Sequence, residues 1–120
     1  MILAILTASL LGLTELPPQK AEPGRCRIFL WTRTEQPLRL AMIDETSKTM
    51  RMRKGKQMFD IAEYAPGQYG GHGYTVLVNL DFADNNAIQN GQIIRSGSMR
   101  LEQVGGETMS LPVGGMRACS

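Results

Sequence analysis

The chain has few of the residues from which catalytic, metal and nucleic-acid sites are usually built. Its 120 residues include one histidine, two cysteines, one tryptophan, three tyrosines and three phenylalanines, and the net charge is only +2. A charge this small, without aromatics interleaved among the basic residues, argues against nucleic-acid binding. The glycines from Gly67 to Gly73 are not followed by a helical pattern, so they form no nucleotide-binding fingerprint. We therefore expect no catalytic residue, no metal and no cofactor.

Charge is also missing from the N-terminus. Met1 to Leu13 contains no charged side chain and is almost entirely apolar or small. The run is shorter than the roughly 20 residues of a membrane-spanning helix and is typical of a secretory signal peptide. We predict a signal peptide over residues 1–14 and a periplasmic or secreted protein. A buried N-terminal strand or helix and an uncleaved anchor are the alternatives.

Three prolines and two glutamates lie within residues 15–24, which excludes a regular helix or strand there and predicts an extended linker. One domain over residues 25–120 remains. Its two cysteines, Cys26 and Cys119, lie near its opposite ends. In an exported chain an even cysteine count favours a disulfide, and no C-x-x-C spacing indicates a redox site. A Cys26–Cys119 bridge requires the first and last strands to be neighbours.

No long amphipathic helix is indicated between the cysteines. Apolar residues instead alternate in about eight short runs at roughly ten-residue spacing, of which Tyr74 to Phe82 is the clearest. This pattern predicts an all-β domain, either a small antiparallel β-sandwich or a β-barrel, with adjacent first and last strands.

Two hairpins can be assigned a register from the alternation. In the first, a five-residue loop from Asp44 to Lys48 would place Met42 opposite Met50. In the second, a three-residue loop from Val104 to Gly106 would place Leu101 opposite Met109, with Gly106 at the positive φ.

Two surfaces are candidate binding sites. The first is the glycine-rich segment between Tyr64 and Tyr74, expected to be a loop, whose candidate residues are Tyr64, Tyr69, His72 and Tyr74. The second is a basic patch on and beside one strand, formed by Lys48, Arg51, Arg53, Lys54 and Lys56. It could bind a phospholipid, lipopolysaccharide or an acidic protein, or its charge could protect an edge strand from aggregation.

Two resemblances bear on function. The predicted layout is similar to that of small periplasmic lysozyme inhibitors, although their S-G-x-x-Y loop is absent. Met50, Met52, His72 and Trp31 resemble, in residue type and not in spacing, the ligands of exported copper chaperones. The leading hypothesis is a non-enzymatic domain that binds a protein or an anionic envelope component. A small-molecule or copper carrier is the alternative, followed by an enzyme acting on envelope polymers.

Overall fold

A computed structural model describes residues 10–83 and 91–120. The described residues form nine strands and no helix, and so include no helix that could cross a membrane. The strands are β1 (Leu13–Thr14), β2 (Cys26–Thr32), β3 (Arg39–Asp44), β4 (Thr49–Lys54), β5 (Gln57–Ala65), β6 (Gln68–Gly71), β7 (Tyr74–Phe82), β8 (Gly91–Gln103) and β9 (Thr108–Cys119).

Strands β2 to β9 close into an antiparallel barrel. Their order around the ring is β4-β3-β2-β9-β8-β7-β6-β5, and pairing of β4 with β5 completes it. The two-residue strand β1 lies outside this ring and pairs with the end of β4. The structure thus confirms the all-β prediction and selects the barrel over the sandwich. Closure leaves no sheet edge in the ring, which removes the usual template for aggregation.

The first and last strands of the ring are adjacent, as predicted. Cys26 is directly opposite Cys119 in the β2–β9 register, and a disulfide joins them. Hydrogen bonds continue beyond the bridge, since the Gly24 amide donates to the Ser120 carbonyl at 2.6 Å. A small β-domain with such a bridge is compatible with an extracellular location.

The barrel interior is filled by aliphatic and methionine side chains that alternate along the strands. Leu30, Met50, Met52, Val76 and Leu101 are each fully buried there. Methionine suits this position because its unbranched side chain adapts to irregular space.

The first hairpin differs from its predicted register by one residue. Ile43, and not Met42, is opposite Met50. The loop is shortened because Asp44 Oδ1 accepts hydrogen bonds from the amides of Thr46 and Ser47, at 2.9 and 3.1 Å. Asp44 therefore ends β3 rather than belonging to the loop. A one-residue slip moves side chains to the other face of a strand, and Met42 lies outside the interior cluster.

The second hairpin has the predicted register, with Leu101 opposite Met109 and Met99 opposite Leu111. The positive φ is at Gly105, at 71°, and not at Gly106 as expected. The glycine-rich segment, predicted to be a loop, contains the end of β5 and the whole of strand β6, which pairs with both β5 and β7. Tight turns at Pro66-Gly67 and His72-Gly73 replace the expected long loop.

The end of the predicted signal peptide packs against the barrel in this structure. Leu11 and Leu13 are buried in the interior cluster, and the Tyr74 hydroxyl donates to the Leu11 carbonyl at 2.7 Å. Residues 1–9 lie outside the described part of the chain. Removal of a leader on export stays a prediction.

The residues predicted as a linker form what we call the strap, residues 15–24, which runs along the outside of the barrel. Arginines on β2 and β3 hold its backbone: Arg39 donates to the Leu16 carbonyl at 3.0 Å and Arg27 to the Lys20 carbonyl at 2.6 Å. Leu16 is fully buried but does not belong to the interior cluster. The strap therefore covers part of the outer face.

Candidate functional site

Turns alternate between the two ends of the barrel, because consecutive strands are antiparallel. The β3–β4 and β5–β6 turns lie at one end, which we call the mouth. The β4–β5, β6–β7 and β8–β9 turns lie at the other, which we call the closed end because Leu11 and Leu13 pack there.

The four residues of the expected binding loop do not all converge. Tyr69 is buried at the mouth, while Tyr74 is buried at the closed end. Tyr64 is 61% exposed on the outer surface, and His72 is exposed in the β6–β7 turn. Tyr69 is separated from His72 and Tyr74 because β6 carries the chain from one end of the barrel to the other, whereas His72 and Tyr74 both pack against Phe59 at the closed end.

The residues of the basic patch are spread along β4 and its two flanking turns. Lys48 lines the mouth, whereas Lys54 and Lys56 are exposed at the closed end. Arg51 is held by Asp60, with Nε–Oδ1 and Nη2–Oδ2 distances of 2.8 and 3.1 Å, and its pKa is raised chiefly by this hydrogen bond.

Arg53 donates to the Glu15 carbonyl of the strap at 3.3 Å. Two of the five cations are thus bound by other parts of the protein. Binding of an anionic envelope component by the patch stays a prediction.

The four positions that resemble copper ligands lie on different surfaces. Met50 and Met52 are fully buried in the interior. Trp31 is outside, where the Arg39 guanidinium lies 5.1 Å from its ring centre. His72 is exposed in its turn. Within residues 10–83 and 91–120, no three His, Cys, Asp or Glu side chains are grouped closely enough to hold a metal ion.

The mouth contains a cavity of about 360 Å³, near the lower end of the range of ligand sites. Its apolar lining comes from four strands and consists of Ile28, Ile43, Tyr69, Val78 and Leu80. The remaining lining residues are Asp44, Glu45, Lys48, Glu63 and Gly67, contributed by the two mouth turns and their flanks. The site therefore combines an apolar body with charged groups from the turns.

Most of the mouth carboxylates are already bound by the protein. Asp44 Oδ2 is 2.8 Å from Arg25 Nη1, and Glu45 Oε1 is 2.6 Å from Arg117 Nε. Glu63 Oε2 accepts the Gly67 amide at 3.0 Å. These contacts hold the two turns in place and leave the carboxylates limited capacity to bind a ligand.

Burial alone would raise the pKa of Asp44. Hydrogen bonds from the Ser47 amide, the Arg25 side chain and the Thr46 amide outweigh that effect, so its pKa is lowered. Asp44 is therefore a structural anion at neutral pH, and it fixes the turn that borders the cavity.

Tyr69 brings a hydroxyl to the lining of the cavity. Burial, together with smaller effects of the Glu63 and Glu45 carboxylates, raises the pKa of this hydroxyl to about 12. The hydroxyl is thus protonated at neutral pH, and it donates no hydrogen bond to any side chain or carbonyl among the described residues. It can donate to a neutral acceptor atom in the cavity.

Sequence reasoning included Tyr69 and Lys48 but missed Ile28, Ile43, Val78 and Leu80. Their alternation indicates an inward face, yet it does not tell which inward residues lie at an end of the barrel. Comparison with known proteins finds no matching protein family, no matching curated protein and no matching solved structure.

Proposed function

We propose that this protein is a non-enzymatic, exported binding protein that holds a small, mainly apolar molecule in the mouth of its barrel. The observation that carries the proposal is the mouth cavity, in which five apolar or aromatic side chains from the strands form the body and the Tyr69 hydroxyl finds no acceptor within residues 10–83 and 91–120. Among the functions expected from the sequence, the small-molecule carrier is the one supported by a cavity of this kind. Binding of a protein or envelope component stays a prediction.

The geometry limits the ligand. At about 30 Å³ for each water molecule, the cavity has room for roughly a dozen waters. A ligand of similar volume would displace them, and burial of its apolar surface would contribute about 25 cal/mol per Å² before the costs of association. A neutral hydrogen-bond acceptor on the ligand would complement Tyr69.

The export part of the proposal is supported by the apolar N-terminal run and by the Cys26–Cys119 bridge, since disulfides persist mainly in oxidising compartments. The periplasm or the extracellular medium would satisfy this requirement. A thiol assay on protein purified from its native compartment should find both cysteines oxidised, and two free thiols would contradict this part of the proposal.

Binding can be tested on the full chain with N-phenyl-1-naphthylamine, a neutral apolar probe whose fluorescence rises when it leaves water. We expect saturable binding at one site, with NMR shift changes at the methyl groups of Ile28, Ile43 and Val78. Absence of saturable binding, or shift changes spread over the outer surface, would overturn the proposal.

Two neighbouring residues of β7 provide a matched pair of variants. Val78 lines the mouth, while Leu77 is 39% exposed on the outer face. V78F should fill the cavity and weaken probe binding at least about 10-fold, and L77F should leave it unchanged. Thermal melting of both variants separates loss of the site from the overpacking cost of about 1–3 kcal/mol. Equal binding by folded V78F and the unmodified chain would refute the mouth site.

A further inference from the structure

A second cavity lies at the closed end, opposite the mouth, and the proposed mouth function does not use it. Its volume is about 380 Å³, and it is lined by Lys54, Gln57, Met58, Phe59 and His72. The β4–β5 hairpin supplies four of these residues and the β6–β7 turn supplies His72.

The backbone at His72 is in the left-handed region, which residues with a Cβ adopt less often than glycine. Its φ is 52°, and those of Gly71 and Gly73 are 147° and 84°. Glycine adopts positive φ without steric cost, whereas a side chain with a Cβ is strained there. Glycine at position 72 would therefore remove a steric cost of the turn.

The imidazole of His72 is part of an aromatic wall. Its ring centre is 5.2 Å from that of Phe59, and Phe59 stacks on Tyr74 at 5.6 Å with only 16° between the ring planes. Tyr74 is itself buried, with 2% of its surface exposed. The wall is thus positioned by packing before any ligand arrives, which lowers the cost of binding a planar molecule.

The charge of the lining differs from that at the mouth. None of the five residues around the closed-end cavity is acidic, while Lys54 is a cation. The Lys54 ammonium lies 5.6 Å from the centre of the Tyr74 ring and forms no ion pair with any residue in the described ranges. Gln57 adds an amide donor. An aromatic wall beside a lysine complements a planar ring that carries an anionic group.

We propose that the closed-end cavity binds a small aromatic carboxylate. Its ring packs against Phe59 and His72, and its carboxylate pairs with the Lys54 ammonium. The His72 imidazole supplies ring contact that glycine at this position could not. It is independent of ligand binding at the mouth.

The test uses 2-naphthoate and its neutral isostere 2-naphthamide, titrated into the full-length protein by calorimetry and by NMR of the His72 imidazole. We expect 2-naphthoate to bind more tightly than the amide by at least about 10-fold, as a charge-assisted hydrogen bond would give. No saturable binding of 2-naphthoate, equal affinity for the two probes, or an unshifted His72 signal would each overturn the proposal.

Single substitutions test separately how Lys54 and His72 contribute to binding at the closed end. K54M keeps an aliphatic chain over Tyr74 and should abolish the preference for the carboxylate. K56M, which removes an exposed lysine that does not line the cavity, should leave the preference intact. H72G should melt at a higher temperature yet bind both probes more weakly. V78F at the mouth should bind 2-naphthoate normally. The assigned contacts would be refuted if K56M lost the preference for the carboxylate as fully as K54M, or if H72G bound both probes as tightly as the unmodified chain.

Discussion

Removing the disulfide by the double substitution C26A/C119A should destabilise the protein without changing its fold. The bridge joins residues separated by 93 positions. For a closed loop of that length, the chain-entropy relation gives about 4.7 kcal/mol at 25 °C. The folded state should survive, because seven residue pairs hold β2 to β9 in register and the Gly24 amide still bonds to Ser120. The loss therefore arises in the unfolded chain, which gains conformational freedom.

Urea unfolding followed by tryptophan fluorescence measures the effect. With a slope of about 1–3 kcal/mol per molar urea, a loss of about 4.7 kcal/mol should lower the midpoint by roughly 1.6–4.7 M. The single variant C119S should lose as much as the double variant, since either opens the loop. A loss below about 1 kcal/mol would refute the reasoning, because it would mean that the unfolded chain keeps its ends together without the bridge.

Three further predictions test other parts of the fold. L13A should lower the free energy of unfolding by about 2–4 kcal/mol, because Leu13 is buried in the interior cluster; an unchanged denaturation midpoint would show that this segment does not pack in the barrel. G115A should lower the free energy of unfolding by at least about 3 kcal/mol, because the new Cβ would clash with the Phe29 carbonyl and the φ of +142° favours glycine. G106A is the control: its Cβ would be no closer than 3.7 Å to a neighbour, so the free energy of unfolding should be nearly unchanged in the same assay. Because the pKa of Asp44 is lowered in the folded protein, the unfolded state binds the proton of this carboxyl more readily. The contribution of ionised Asp44 to the free energy of unfolding is therefore complete above pH 3.8 and is lost as pH falls through the lower, folded pKa. D44N should accordingly show a weaker loss of melting temperature on acidification, and an unchanged pH profile would contradict this assignment.

The two hairpins show how far the register of paired strands can be predicted from the sequence. The β8–β9 register was correctly predicted, because the apolar residues fit only the three-residue loop, although Gly105-Gly106 taken alone suggests a two-residue turn. The β3–β4 register was wrong by one residue. There the alternation allowed two pairings of β3 with β4. The hydrogen bonds from the turn to the Asp44 carboxylate selected the pairing that places Met42 on the outer face of the barrel and not in its interior.

In the glycine-rich segment, the composition led to a wrong prediction of secondary structure. Its composition suggested a loop, yet Gln68 to Gly71 form a strand with neighbours on both sides. Glycine has a low strand propensity, and pairing with β5 and β7 overrides it. The site residues assigned to that segment were consequently dispersed, with Tyr69 at one end of the barrel and Tyr74 at the other.

By itself, the sequence determined the all-β class, the alternating strand from Tyr74 to Phe82, the register of the second hairpin, and the pairing of Cys26 with Cys119. These follow from local alternation and from having only two cysteines. The tertiary structure alone decided that the sheet closes, which inward residues surround the mouth, and that the strap lies along the outer face. Closure depends on hydrogen bonds between distant segments, such as β2 with β9, and a period of two residues identifies the face of a strand but not its neighbours or its height in the barrel.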